Sequence, residues 1–139
     1  MKTFFQTNLA MHAQILVAVG GAIGSLLRYN ISLTMRELLP SYAASGTLIV
    51  NVLGSLAIGY LLGLSHEAKS VADVTRLFVA VGILGGLTTF SSLAYETMSL
   101  TYTHQAGIFA GLGHLTANLT LGLGAVWLGA WLARVTTAS

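Results

Sequence analysis

Residues 82–96, GILGGLTTFSSLAYE, set two adjacent glycines and four serine or threonine hydroxyls in the middle of an otherwise apolar span. That span, residues 74–98, is long enough to cross a bilayer, and Gly86 falls at its midpoint. Hydrocarbon offers no hydrogen bonds, so backbone that leaves helical geometry at this depth must be satisfied by protein or by an ion. Gly85 and Gly86 loosen the helix and the hydroxyls of Thr88 and Thr89 can serve opened backbone groups, so a helix interrupted at the two glycines is expected.

The rest of the chain places this stretch in a membrane. Of 139 residues 55% are hydrophobic and 7% charged, with a mean hydropathy of +0.79, far from a soluble domain. A formal charge of +2 from so few ionisable groups is no footprint for nucleic acid, and the absence of cysteine excludes disulfides and thiolate chemistry.

Four spans follow from the apolar runs. Residues 1–12 form a polar and aromatic lead-in; the apolar pattern beginning at Ile15 continues without a small-residue cleavage site, so a retained helix over 13–33 is expected rather than a signal peptide. A linker with Arg36, Glu37 and the single proline, Pro40, leads to an uncharged second span over 46–64. The polar loop SHEAKSVAD precedes the third span, and a long uncharged run over 106–133, closed by Arg134, gives a tilted fourth. Residues 135–139 remain as a tail, and 13–134 form one all-α, four-helix transmembrane domain.

Orientation is weakly encoded. Lys2, Lys69, Arg76 and Arg134 fall on one side, with Arg28 and Arg36 toward the other. A chain that inserts both ways can pair with an inverted copy about a two-fold axis in the membrane plane, which doubles whatever sits at the midplane. The carbonyls freed in span three would then surround one point, and a desolvated cation suits such a cage. A chain this small buries little lateral surface of its own, so a pore must form between subunits.

Glycine pairs four apart, Gly20 and Gly24, Gly59 and Gly63, Gly82 and Gly86, Gly107 and Gly111, read as close helix contacts. Asn51 in span two is either interhelical glue or a permeation residue whose amide offers two neutral donors to an anion. Thr116 and Thr120 share a face of span four and make a short polar track, with His114 a turn before Asn118. Phe90 fills the core or turns an electropositive ring edge toward an anion. Arg28 snorkels to the interface or draws anions into a vestibule, and Glu96 caps a polar cluster near the end of span three. Tyr29, Tyr60 and Tyr95 are packing or interfacial residues. Ser91, Ser92 and His114 supply a nominal nucleophile and base that no motif brings together, and His66, His104 and His114 lack metal-ligand spacing, so an enzyme is a poor fit.

GGLTTFSSLAYE on span three, GGAIGSLLRY on span one and GTLIVNVLGS on span two closely resemble the Fluc fluoride channels, also called CrcB proteins. The resemblance covers residues 20–132, more loosely over the fourth helix, HLTANLTLGLGAVWLGAWL. It implies a dual-topology antiparallel homodimer in the bacterial inner membrane, passing fluoride down its gradient through two pores. It further implies one structural, untransported sodium ion at the dimer centre, held by the carbonyls of Gly85 and Thr88. Asn51, Phe90, Thr116 and Thr120 are the implied fluoride pathway, with Arg28, Glu96, Ser91 and Thr89 as vestibule or structural polar groups. No nucleotide or nucleic acid partner is implied. Leu93 stands where the family's usual TTFSTF has its second phenylalanine, so one aromatic station is missing and altered conduction is expected.

Small, strongly hydrated fluoride requires donors spread along a narrow path to offset dehydration, and several neutral donors release it more readily than one fixed charge. The competing readings are a small multidrug-type cation exporter, which needs a carboxylate within the membrane, and a membrane scaffold without transport.

Overall fold

The computed structural model describes residues 2–42, 44–68, 73–103 and 107–138, and among these there is no strand. Helix α1 is Lys2–Leu38 and α2 is Ser45–Ala68. Helix α3 covers 73–87, α-helical at Asp73–Thr75, π-helical over Arg76–Leu84 and α-helical again at Gly85–Leu87. Helix α4 is Phe90–Thr103 and α5 is Ile108–Thr137. Four segments are long and apolar enough to cross a membrane: Met11–Leu38, Ser45–Leu64, Arg76–Tyr102 and Ile108–Thr137. The lead-in expected over 1–12 is helical from Lys2 and continuous with the first span. Arg36 in the last turn of α1 complements the carbonyl end of the helix dipole, and Pro40 opens a 3-10 turn, Pro40–Tyr42, that prevents continuation.

Small residues hold the bundle together. Helix α1 packs on α3, and α2 on α5. A Cβ on Gly20 would strike the Phe78 carbonyl and lie 2.9 Å from Gly82 Cα; on Gly24 it would meet the Ile83 carbonyl. Gly86 presses on the α1 backbone at Gly21 and Ser25. On the other side, Gly59 faces the Val126 backbone, Gly63 faces Ala130 and Ala133, and Gly129 faces Leu56 and Tyr60. Close backbone approach maximises dispersion contact where no hydrophobic effect distinguishes protein from lipid. Gly107 differs from the expected packing role: at φ 53° it forms the turn into α5, a conformation that disfavours a Cβ, whereas Gly111 packs against Thr97 and Thr101.

Among the described residues buried apolar side chains are few, Val50, Ala80, Leu84, Leu93, Ala125 and Ala133, and large ones such as Phe90, Phe109, Trp127 and Trp131 point outward. Such a surface requires lipid or another subunit around it.

In the third span the glycines are not where helical geometry ends. Gly85 has φ −64° and ψ −36°, fully helical, whereas Thr88 is extended at φ −79° and ψ 153°. Thr88 and Thr89 are the two residues outside the helices here. The Thr88 N–H and Oγ1 both donate to the Leu84 carbonyl at 3.0 Å, closing α3. Thr89 Oγ1 accepts the Ser92 N–H at 3.2 Å, the N-cap geometry that starts α4. Gly86 serves contact with α1, and the threonine hydroxyls satisfy the helix ends.

Candidate functional site

Asn51 projects from α2 onto this pair of threonines. Its Oδ1 accepts the Thr89 N–H at 2.8 Å and its Nδ2 donates to the Thr89 carbonyl at 3.2 Å. In an unbroken helix the Thr89 N–H would serve the Gly85 carbonyl; here it is directed to Asn51. The Ser92 N–H likewise goes to Thr89 Oγ1 rather than to Thr88 O. Gly86 O accepts from Arg28 Nε at 3.1 Å. Arg28 therefore does not snorkel: it lies well inside α1, which runs on to Leu38, and braces the interruption.

The second Asn51 amide hydrogen goes to Asn118 Oδ1 at 3.0 Å, and Asn118 Nδ2 donates to the His114 carbonyl one turn back at 3.0 Å. His114 Nε2 lies 3.2 Å from Glu96 Oε2, and Thr47 Oγ1 donates to Glu96 Oε1 at 2.7 Å. A continuous polar row, Thr89, Asn51, Asn118, His114, Glu96 and Thr47, thus joins α2, α4 and α5. Thr47 and Asn118 are buried, which a membrane interior tolerates because their polar atoms are paired. Glu96, half-buried, stands near the end of this row, between His114 and Thr47.

Two cavities flank the row. An inner one of about 380 Å³ is lined by Asn51, Gly85, Thr88, Thr89, Phe90, Leu93 and Asn118, among others. An outer one of about 810 Å³ is lined by Arg36, Tyr42, Ser45, Tyr95, Glu96 and His114, among others.

Asn51, Gly85, Thr88, Thr89, Phe90 and Leu93 thus come together around the inner cavity. Ser91 is exposed, with its hydroxyl 3.3 Å from Thr89 Oγ1. Phe90 is 74% exposed on the protomer, while Leu93 is 4% exposed and belongs to the core as well as to the cavity wall. Thr116 and Thr120 are not beside Asn51. Both are exposed, and Thr120 Oγ1 donates to the Thr116 carbonyl at 2.8 Å, so it is spent on its own helix. On the protomer Asn118 is the α5 side chain that Asn51 reaches. Residues two apart on a helix point about 200° away from one another, so the face that carries Thr116 and Thr120 is opposite the one that carries Asn118. Sequence reasoning left Thr47 unremarked and gave Asn118 and His114 no role; their shared face, four residues apart, was the available signal. His66 and His104 lie outside the residues whose side chains are described.

Comparison with known proteins places this arrangement. The profile of the family described as CrcB-like protein, Camphor Resistance (CrcB), matches residues 15–130. A protein of Roseiflexus sp. (strain RS-1) named fluoride-specific ion channel FluC is 46% identical over 121 residues, 87% of this chain and 96% of its own length. Proteins of the same name from Hyphomonas neptunium and a strain of Thermus thermophilus are 41% identical over 128 residues and 45% over 119, covering 97% and 93% of their lengths and 89% and 86% of this one. With the four membrane-length helices and the polar row between them, these matches show that the chain belongs to the CrcB-like family.

Proposed function

We propose that the protein is a passive, fluoride-selective channel, a non-enzymatic multi-pass protein of a bacterial membrane. Relatives over nearly the whole chain are named fluoride-specific ion channels. The observation within the chain that carries the reading is the uncharged Asn51–Asn118 pair between two cavities. Amides replace water around a small anion without trapping it. Both Asn51 amide hydrogens are engaged, so an anion passing Asn51 takes the place of the Asn118 or Thr89 oxygen. The ring edge of Phe90 and the hydroxyls of Thr89 and Ser91 continue the path.

The working unit in this reading is an antiparallel, dual-topology homodimer in the inner membrane, with two pores along the subunit boundary. The outward-facing aromatics and the weak charge bias support it. A structural sodium ion at the dimer centre also fits the residues: the Gly85 carbonyl has lost the Thr89 N–H, the Thr88 carbonyl has lost the Ser92 N–H, and Gly85 is exposed on the protomer. The Gly85 and Thr88 carbonyls would hold the ion, which would supply positive charge that the apolar surroundings lack.

The half-buried carboxylate of Glu96 between α2, α4 and α5 is a feature that favours a proton-coupled cation exporter. Liposomes with purified protein decide between the readings. Fluoride release to an ion-selective electrode, without chloride release, is expected; ethidium transport without fluoride release overturns the channel. Exchanging sodium for N-methylglucamine should lower dimer stability by about 3 kcal/mol for a site held near a hundredfold above its dissociation constant. Unchanged stability removes the ion from the account.

A further inference from the structure

Two shielded side-chain atoms on the wall of the outer cavity stand side by side without the hydrogen bond that their distance allows. His114 Nε2 on α5 and Glu96 Oε2 on α4 are 3.2 Å apart, and among the described residues neither has a hydrogen-bond partner of acceptable direction. A hydrogen bond needs its acceptor near the line of the ring N–H, and here the oxygen lies off that line. Two ligands of one metal ion stand in such an off-axis relation. In a tetrahedral site with bonds of about 2.0–2.1 Å, neighbouring ligand atoms are about 3.3 Å apart.

The surroundings hold both groups for ligation. Thr47 Oγ1 donates to Glu96 Oε1 at 2.7 Å, which orients the carboxylate and leaves Oε2 beside the imidazole. Ligating carboxylates are ordinarily fixed by an outer hydrogen bond of this kind. The His114 side chain is only 9% exposed, and its helix is anchored one turn on, where Asn118 Nδ2 donates to the His114 carbonyl at 3.0 Å. Because the pair joins two helices, no spacing along the chain announces it.

We propose that Glu96 and His114 form a binding site for zinc or a similar divalent transition ion, and that its occupation closes the fluoride path between the outer cavity and the Asn51–Asn118 pair. Binding stands on the geometry of the pair; closure rests on the channel reading. No third His, Cys, Asp or Glu joins the pair among the described residues, so water from the cavity takes the remaining positions. A ring nitrogen suits zinc and not magnesium, which prefers six oxygens in octahedral array. Arg36 lines the same cavity and opposes any cation, so the affinity comes from the two direct bonds rather than from the charge of the cavity. Metals bind the ionised carboxylate and the neutral imidazole, so the ion turns one negative charge into one positive charge. Asn118 accepts from Asn51 a turn away, and a fixed positive charge beside these neutral donors holds a passing fluoride instead of releasing it.

The test uses the full chain, first in detergent. Calorimetric titration with zinc is expected to show one site per chain, and magnesium none. His114→Gln and Glu96→Gln should each weaken binding at least about tenfold, the lower end of what losing even an outer partner of a ligand costs. Replacing His12, His66 and His104 together by Asn should leave binding unchanged, which covers the two histidines whose side chains lie outside the described residues. X-ray absorption at the zinc edge of the loaded wild type, which needs no variant to fold, should show a single imidazole with oxygen ligands. In liposomes, zinc on both sides should suppress fluoride efflux from the wild type and from the triple variant. Absence of zinc binding by the wild type, or more than one imidazole per ion, overturns the site. Full affinity in either folded single variant, or its loss in the triple variant, does the same. Binding that leaves fluoride efflux unchanged overturns the closure. In all these outcomes the channel reading stands, and it falls only if the metal-free protein releases no fluoride.

Discussion

Asn51 grips Thr89 by both of its backbone groups, accepting the N–H at 2.8 Å and donating to the carbonyl at 3.2 Å. One side-chain amide thus reproduces the pairing a neighbouring strand would give. The same contact maintains the end of one helix and orients the residue expected to meet the anion. Asn51→Ala should therefore act on both properties. We expect fluoride flux to fall at least about tenfold and stability to fall by roughly 1–3 kcal/mol, because the Thr89 N–H is left unpaired. Electrode recordings and thermal unfolding of the protein in detergent measure the two separately; unchanged flux would reduce Asn51 to helix glue.

Asn118, rather than Thr120, should be the functional polar residue of α5. Asn118→Ala is expected to change flux non-additively with Asn51→Ala, with a coupling of about 0.5–3 kcal/mol in a double-mutant cycle. Thr120→Val, which removes only a bond to its own helix, should leave flux within about twofold. The reverse pattern would restore the threonine track.

Arg28 should matter for stability first. Arg28→Leu leaves the part-buried Gly86 carbonyl without its charged donor, a loss of about 1.5–3 kcal/mol. Arg28→Lys should recover only part of this, since an ammonium is a compact donor on a differently shaped stem. Melting temperatures of the three proteins in one detergent give the order; wild-type stability in Arg28→Leu would show that the bond at 3.1 Å contributes nothing.

Leu93→Phe adds a ring at a residue that is 4% exposed and lines the inner cavity. The cavity of about 380 Å³ offers room, so the overpacking penalty should stay below about 1–3 kcal/mol and the protein should remain folded. Conduction is expected to change because the cavity gains an aromatic edge. Identical fluoride currents would make a second aromatic station dispensable in this chain.

Much of the architecture was legible along the chain. Apolar length specifies four spans because each must satisfy its backbone within itself, and the spacing of Gly20, Gly24, Gly59, Gly63, Gly82 and Gly86 announces close helix contact whatever the neighbour. In span three the sequence pointed to irregular backbone at Gly85 and Gly86, but Gly85 is helical, contact with Gly21 and Ser25 gives Gly86 a packing role, and Asn51 draws the Thr89 backbone away from helical pairing.

The tertiary structure alone decided which polar groups meet. Helical periodicity put Thr116 and Thr120 on one face and Asn118 on the other, yet periodicity is silent on which face a neighbouring helix will cover. Packing of α2 on α5 settled it in favour of Asn118, and packing of α1 on α3 turned Arg28 from an interfacial residue into a brace for Gly86. Hydrogen-bond partners are fixed by distances of a few ångströms between segments far apart in the chain, and a linear order of residues carries no such distances until the helices have closed on one another.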